Sequence, residues 1–308
     1  MSADLMADVE GLPGVAKSDP ILVADHIIRR FGGLVAVDVA HLEVQRGIIT
    51  ALIGPNGAGK TTFFNLVTGF DEPDEGEWSF DGASMGSLAA HQVARRGMIR
   101  TFQLTKALSR LTVMENMKLG AQHQKGENLF VGLVQTWRGQ EREIEAQADE
   151  LLDRFQLAHM RDEFAGTLSG GQRKLLEMAR ALMADPKLIM LDEPMAGVNP
   201  ALTESLLDHV KTLRDEGRTV VFVEHDMDVV RDISDWVVVM AEGAIIAEGT
   251  HAAIGANEAV IEAYLGAHHD APLEVDGQQI RALDSETEEE AEPVVEPGTI
   301  DTGEDGAS

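Results

Sequence analysis

Apolar residues along this chain follow three rhythms. The continuous runs Ile48–Ile53, Leu188–Leu191 and Thr219–Val223 predict strands covered on both faces. Near-alternation over Ile21–Arg30, Val35–Val44 and Glu77–Gly82 predicts half-buried strands, and Met98–Gln103 a further short one. Trp236–Ile246 alternates through Gly243 and reads as a hairpin. Helical spacing governs Thr61–Val67, Thr112–Leu119 behind a Thr cap, Ile144–Phe155, Gln172–Met183, Leu202–Arg214, Met227–Ser234 and Ala259–Leu265. Gln122–Arg142 holds Gly126, Gly132 and Gly139 on a weak pattern and is expected to be rich in loop. Strands alternating with helices imply an α/β core over residues 21–266, interrupted by a helical block at about 104–168. Residues 1–20 are polar and acidic, and residues 267–308 are charged and poor in aromatics. Both segments are expected to lack fixed structure.

Composition narrows the class. The chain has 308 residues and no cysteine, so it can build a large core but no disulfide framework. Charged residues interrupt every apolar run before membrane-spanning length, and the N-terminus lacks the basic-then-apolar layout of a signal peptide. A soluble intracellular protein is expected. The formal net charge is −28. Nucleic-acid binders usually show a basic face, so no nucleic-acid partner is expected. The segment Ala267–Ser308 holds thirteen acids and the single basic residue Arg281. Twelve of the surplus negative charges therefore sit there and sixteen in the rest of the chain.

The densest chemistry lies at Gly54-Pro55-Asn56-Gly57-Ala58-Gly59-Lys60-Thr61-Thr62, between a buried strand and a helix. Glycines there let successive N–H groups converge on phosphate oxygens, and the helix N-terminus adds a positive end. Lys60 is a point charge for the β- and γ-phosphates of a nucleotide, and the Thr61 hydroxyl suits Mg²⁺. Asp192 closes the run Leu188–Leu191, where an acid at a strand's carboxyl end can hold Mg²⁺ through water. Glu193 follows and can orient or deprotonate an attacking water. Leu168-Ser169-Gly170-Gly171-Gln172 is a second glycine-opened helix start and so a second anion site. Capping by Ser169 accounts for the start of that helix but for neither Gly171 nor Gln172.

With these stretches in order, residues 21–266 resemble the ATP-binding subunit of an ABC transporter, and Leu168–Gln172 matches that family's signature. The resemblance implies a P-loop NTPase core: a mostly parallel sheet, an antiparallel β subdomain and an inserted α-helical subdomain. It implies ATP and Mg²⁺ as cofactors and phosphoryl transfer to water as the reaction. Phe31 matches the aromatic that stacks on adenine. Gln103 matches a glutamine that senses Mg²⁺ and the attacking water and couples to the membrane partner. His225 matches the switch histidine at the γ-phosphate. Ala196–Pro200 matches the loop that crosses to a partner subunit, with Asn199 where most members carry Asp. Glu193, His225, Gln103 and Lys60 would be catalytic, and Thr61, Gln103 and Asp192 would face the metal. Residues 54–62, Phe31, Gln103 and Asp192 would bind nucleotide, with Ser169, Gly170, Gly171 and Gln172 contributing from the opposing subunit.

Arg100-Thr101-Phe102-Gln103, the long Ala121–Arg142 insertion, Ala196–Pro200, Glu224–Met227 and the ending Val260–Gly266 resemble the branched-chain amino acid importer ATPases. That branch implies a second ATPase subunit, like or unlike, two transmembrane permease subunits, and an external substrate-binding protein reached indirectly. It places the chain on the cytoplasmic face of the membrane. A lipopolysaccharide-export ATPase or a soluble assembly ATPase remain alternatives. The acidic surplus suits a salt-rich cytoplasm, as in a halophile, because strong salt shortens the screening length to a few ångströms. Urea unfolding midpoints should therefore rise from low to molar KCl, and no gain in stability would remove this reading.

Overall fold

The computed structural model describes residues 6, 9–86, 88–101, 109–122, 137–267, 273–275 and 278–280. In chain order it opens with β1 (Pro20–Phe31), β2 (Leu34–Gln45), β3 (Ile49–Ile53) and α1 (Lys60–Val67). β4 (Glu75–Phe80), β5 (Ala83–Ser84), α2 (Ala90–Arg95) and β6 (Met98–Arg100) follow. The helical block supplies α3 (Val113–Gly120) and α4 (Trp137–Arg154), and α5 (Gly170–Leu182) follows it. The core resumes with β7 (Leu188–Asp192), α6 (Pro200–Asp215), β8 (Thr219–Val223), α7 (Met227–Ile233), β9 (Trp236–Ala241) and β10 (Ala244–Gly249). It closes with α8 (His251–Gly255) and α9 (Glu258–Ala267).

Every residue of β3, β7, β8 and β9 is buried. They form one sheet in the order β10-β9-β3-β8-β7-β6. All neighbours are parallel except the β9–β10 hairpin. Successive side chains of a strand alternate between faces, so each run feeds two cores. Ile49, Ala51, Ile189, Leu191, Val220 and Phe222 pack on the helical side with α3 to α9. Leu52, Leu188, Met190, Val221 and Val223 pack on the other side with α1 and the antiparallel sheet β2-β1-β4-β5. This is the α/β arrangement the sequence predicts.

Some expectations shift. α4 begins at Trp137, seven residues before Ile144, because Gly139–Glu143 hold no apolar side chain to mark a helical stripe. β9 is buried throughout rather than alternating, since both of its faces are covered. The short elements β5, α2 and α8 carry too few apolar positions to stand out by period.

The N-terminal segment is a correction. Residues 9–19 are placed against the core, not left without structure. The Lys17 ammonium, its side chain 1% exposed, lies 2.7 Å from Glu248 Oε2 on β10. It also donates to Val15 O (2.8 Å) and sits 5.2 Å from the Trp236 ring centroid. Trp236 Nε1 (2.8 Å) and Val15 N (3.1 Å) donate to the same carboxylate. The partner lies 231 positions away in sequence, which local composition cannot reveal.

The chain divides after Ala267. In the C-terminal unit, β11 (Leu273–Val275) pairs antiparallel with β12 (Gln278–Ile280), separated in sequence by Asp276-Gly277, a favoured hairpin pair. Those six residues form a strand pair where no fixed structure is expected.

Removing one member of a buried ion pair strands the other charge. Lys17→Met should lower stability by about 3 kcal/mol, read from the urea unfolding midpoint of the whole protein. A loss below about 1 kcal/mol would mean the pair behaves as a surface contact.

Candidate nucleotide site

Parallel pairing brings four strand ends to one edge. Leu52 of β3 faces Val223 of β8, and Val223 faces Asp192 of β7. Met190 of β7 faces Arg100, the last residue of β6. The loop after β3, His225 after β8, Asp192 and Arg100 therefore emerge side by side. Asp192 stands two strands from the loop, roughly 10 Å.

The loop Gly54–Gly59 is shaped by contacts only glycine permits. Gly54 has φ 147°, and a Cβ there would lie 2.0 Å from Met240 O of β9. Gly59 has φ 97° at the start of α1, where a Cβ would meet Ala36 O at 2.4 Å. Gly243 N donates to Ala58 O (3.0 Å), tying the loop to the β9–β10 turn. Lys60 Nζ folds back to donate to Gly54 O (2.6 Å) and Pro55 O (2.9 Å). Burial lowers the Lys60 pKa, and the nearby carboxylates of Glu193 and Asp192 work against that. The three groups thus share one electrostatic site. Thr61 is exposed beside them. The Tyr264 hydroxyl of α9 is buried near the Gly54 backbone N–H without a hydrogen bond of good geometry, and burial pushes its pKa up to about 12.

Asp192 is 7% exposed and its Oδ2 accepts from Arg100 at 2.7 Å. Glu193 has φ 47°, a left-handed backbone that a non-glycine residue adopts at a cost. Its N–H donates to Val223 O (3.0 Å), and its carbonyl accepts from Lys174 Nζ of α5 (3.0 Å). His225 Nδ1 lies 3.8 Å from Glu193 Oε1, with the imidazole largely exposed. Beneath it the buried Glu224 accepts from Met195 N (2.9 Å), and burial raises its carboxyl pKa.

The other expected site residues have contacts of their own. Phe31 is half exposed at the tip of β1, with the Arg29 guanidinium 4.9 Å from its ring centroid. Asp71 and Asp74 hold that arginine at 2.8 and 3.0 Å. Ser169 Oγ accepts from Gln172 N (3.3 Å) and Ser169 N donates to Gln172 Oε1 (2.9 Å), a reciprocal capping box. A Cβ on Gly171 would lie 1.7 Å from Leu202 Cδ2 of α6. Gln172 is thus part of the cap, which corrects the expectation that capping does not account for it, while Gly171 is accounted for by packing against Leu202. Asn199 caps α6 by accepting from Leu202 N (3.0 Å). Gln103 and most of the Ala121–Arg142 insertion lie outside the described residues.

The family model described as ABC transporter matches residues 37–196, just over half of the chain. The chain belongs to the ABC transporter ATPases. A second model, described as Branched-chain amino acid ATP-binding cassette transporter, matches residues 244–270, which take in α8 and α9. The chain is 43% identical over 247 residues to a "Probable branched-chain amino acid transport ATP-binding protein LivG" of Archaeoglobus fulgidus, covering 80% of this chain and 96% of that one. It is 42% identical over 252 residues to the "High-affinity branched-chain amino acid transport ATP-binding protein BraF" of Pseudomonas aeruginosa, covering 81% and 99%. A solved structure described as the ADP conformation of MJ1267, an ATP-binding cassette of an ABC transporter, superposes with TM-score 0.70 at 36% identity. That match covers 81% of this chain and all of that one. Like the rest of the family, the chain is an ATP-binding subunit whose hydrolysis is coupled to transport.

Sequence reading took Arg100 and Tyr264 only as members of family-like stretches and gave no role to Asn65 or Lys174, because a lone basic, amide or phenol residue carries no spacing signal. Lys174 is the fifth residue of the signature helix. It holds the carbonyl of a strained Glu193, so Lys174→Met should lower the turnover number about tenfold while ATP affinity stays within twofold. Steady-state phosphate release and a fluorescent-nucleotide titration would check this; an unchanged turnover number would detach Lys174 from Glu193.

Proposed function

We propose that this ATPase powers import of branched-chain or related amino acids by ATP-driven closure of a subunit pair. One observation carries the reading: loop, acid pair and histidine meet at the carboxyl edge of β3, β7 and β8, where Lys60 shares the field of Asp192 and Glu193. Lys60 exchanges its loop carbonyls for the β- and γ-phosphates of ATP. Mg²⁺ fits the donors at hand, the Thr61 hydroxyl and the Asp192 carboxylate. Among the described residues no cluster of three or more His, Asp or Glu could cage a metal alone. Mg²⁺ prefers such a setting, keeping waters and substrate phosphates in its shell; when bound it neutralises charge on the transferring phosphoryl group. Glu193 accepts the proton of the attacking water, and His225, 3.8 Å from Glu193, faces the γ-phosphate. Phe31 stacks on adenine, while Gln103 senses the metal and the attacking water and couples them to the membrane partner.

The Ser169–Gln172 helix end serves the nucleotide of the partner subunit. Each half-site alone lacks donors for the γ-phosphate, so closure depends on ATP and hydrolysis releases it. The permease subunits dock in a groove of about 720 Å³ beside the helical block, lined among others by Phe70, His91, Arg95, Leu119, Ala121 and Arg180. Leu119 and Phe70 are more than half exposed there, an apolar surface suited to a partner helix. No helix among the described residues is long and apolar enough to cross a membrane. The chain accordingly sits on the cytoplasmic face of the membrane through those subunits. Amino acid cargo rests on the relatives' names and on the match of residues 244–270.

Glu193→Gln provides the test. Co-expressed with the neighbouring permeases, the variant should release phosphate about 100-fold more slowly. It should also keep ATP bound and elute as a closed pair with both permeases attached. Native turnover would overturn the role of Glu193, and ATP-bound protein that stays a single subunit would overturn the shared site.

A further inference from the structure

Arg100 ends β6 with a side chain only 8% exposed, yet it reaches two other elements, β7 and α1. One terminal nitrogen donates to Asp192 Oδ2 at 2.7 Å. The other donates to Asn65 Oδ1 at 2.5 Å, on α1 directly after the phosphate loop. The guanidinium carbon lies 5.6 Å from the centroid of the Phe64 ring, and Nε has no partner among the described residues. The same residue forms part of the wall of the proposed permease groove. A guanidinium is a rigid planar fork, so fixing one nitrogen on Asn65 fixes the direction of the other. That leaves Asp192 with Oδ2 committed to Arg100 and no hydrogen bond to Oδ1 among the described residues.

A buried cation beside a proposed Mg²⁺ site has an electrostatic cost, since it repels the metal. A bare ion pair is also weak ground for stability. The anchoring through Asn65 supplies a different reason for it. We propose that Arg100 is a positioning residue that holds the Asp192 carboxylate in the orientation its Mg²⁺ shell requires, and that it links the permease groove to that carboxylate. This rests on the reading of Asp192 as a Mg²⁺-shell ligand. Outer partners that orient a ligating carboxylate are commonly worth 10- to 100-fold in metal affinity.

The test titrates Mn²⁺, an oxygen-preferring stand-in for Mg²⁺, into the whole protein with saturating ADP, following free Mn²⁺ by electron paramagnetic resonance. Arg100→Lys keeps the charge and loses the fork; Arg100→Met loses both. Both should raise the Mn²⁺ dissociation constant about tenfold or more. ADP affinity without metal should stay within twofold. Asn65→Ala keeps Arg100 and frees one end of its fork; a rise of a few-fold is expected, and it serves as the probe should the arginine variants fail to fold. Unchanged Mn²⁺ affinity in the variants that fold would overturn the proposal. So would tighter binding in Arg100→Met, which would make Arg100 a charge that opposes the metal. Asp192→Asn separates the two layers: if it leaves Mn²⁺ affinity unchanged, the reading of Asp192 itself has failed.

Discussion

Parallel pairing of β3, β8 and β7 is the constraint the rest obeys. Parallel strands run in one direction, so everything that follows them emerges at the same edge. The register then fixes the rows: Leu52, Val223 and Asp192 stand abreast. A slip of one residue would exchange the two faces of a strand and send the inward half of its apolar side chains into the wrong core. Because both faces of these strands are packed, the register is held by the whole apolar content of the sheet. The positions of Asp192 and Glu193 relative to the phosphate loop are thus set by hydrophobic packing well away from any phosphate.

Packing alone does not tolerate what sits at that edge. Asp192 and the Arg100 side chain are each under 10% exposed, and Lys60 is half-buried. Charges in that setting lose hydration, and each must recover it from the protein. Lys60 recovers it from Gly54 O and Pro55 O, and Asp192 from Arg100. Glu193 also carries backbone strain, at φ 47°, steadied by Val223 O and Lys174. These arrangements do little for the fold. In the proposed reading they hold charged groups ready, and phosphate oxygens take over the donors of Lys60.

Much of this was legible in the sequence because its signals are local. The buried runs at 48–53, 188–191 and 219–223 fall on β3, β7 and β8, and the glycine spacing at 54–59 marks the loop. The same local reading marks Thr112 as a cap, and its hydroxyl accepts from Glu115 N. What escaped depends on partners distant in sequence. Lys17 reads as an ordinary charge in a polar segment until Glu248 is beside it, and Arg100 reads as a strand residue until Asn65 and Asp192 close on it. The polar first turns of α4 escaped for a different reason: they have no apolar stripe to betray them.

The signature segment shows how two physical causes can occupy the same residues. Ser169 and Gln172 satisfy each other's backbone N–H groups, and Gly171 makes room for Leu202. Local folding alone would therefore retain all three. The box, however, satisfies only the N–H groups of Ser169 and Gln172. By helix geometry the N–H groups of Gly170 and Gly171, in the first turn, have no intrahelical acceptor. Gly170 is exposed and bears no side chain over them. An anion can reach that helix end without dismantling the cap, and the dipole favours it there. Capping and the proposed anion binding are then compatible uses of one turn: the cap holds the turn rigid, and rigidity would let the exposed Gly170 end of the helix meet an anion without a further ordering cost.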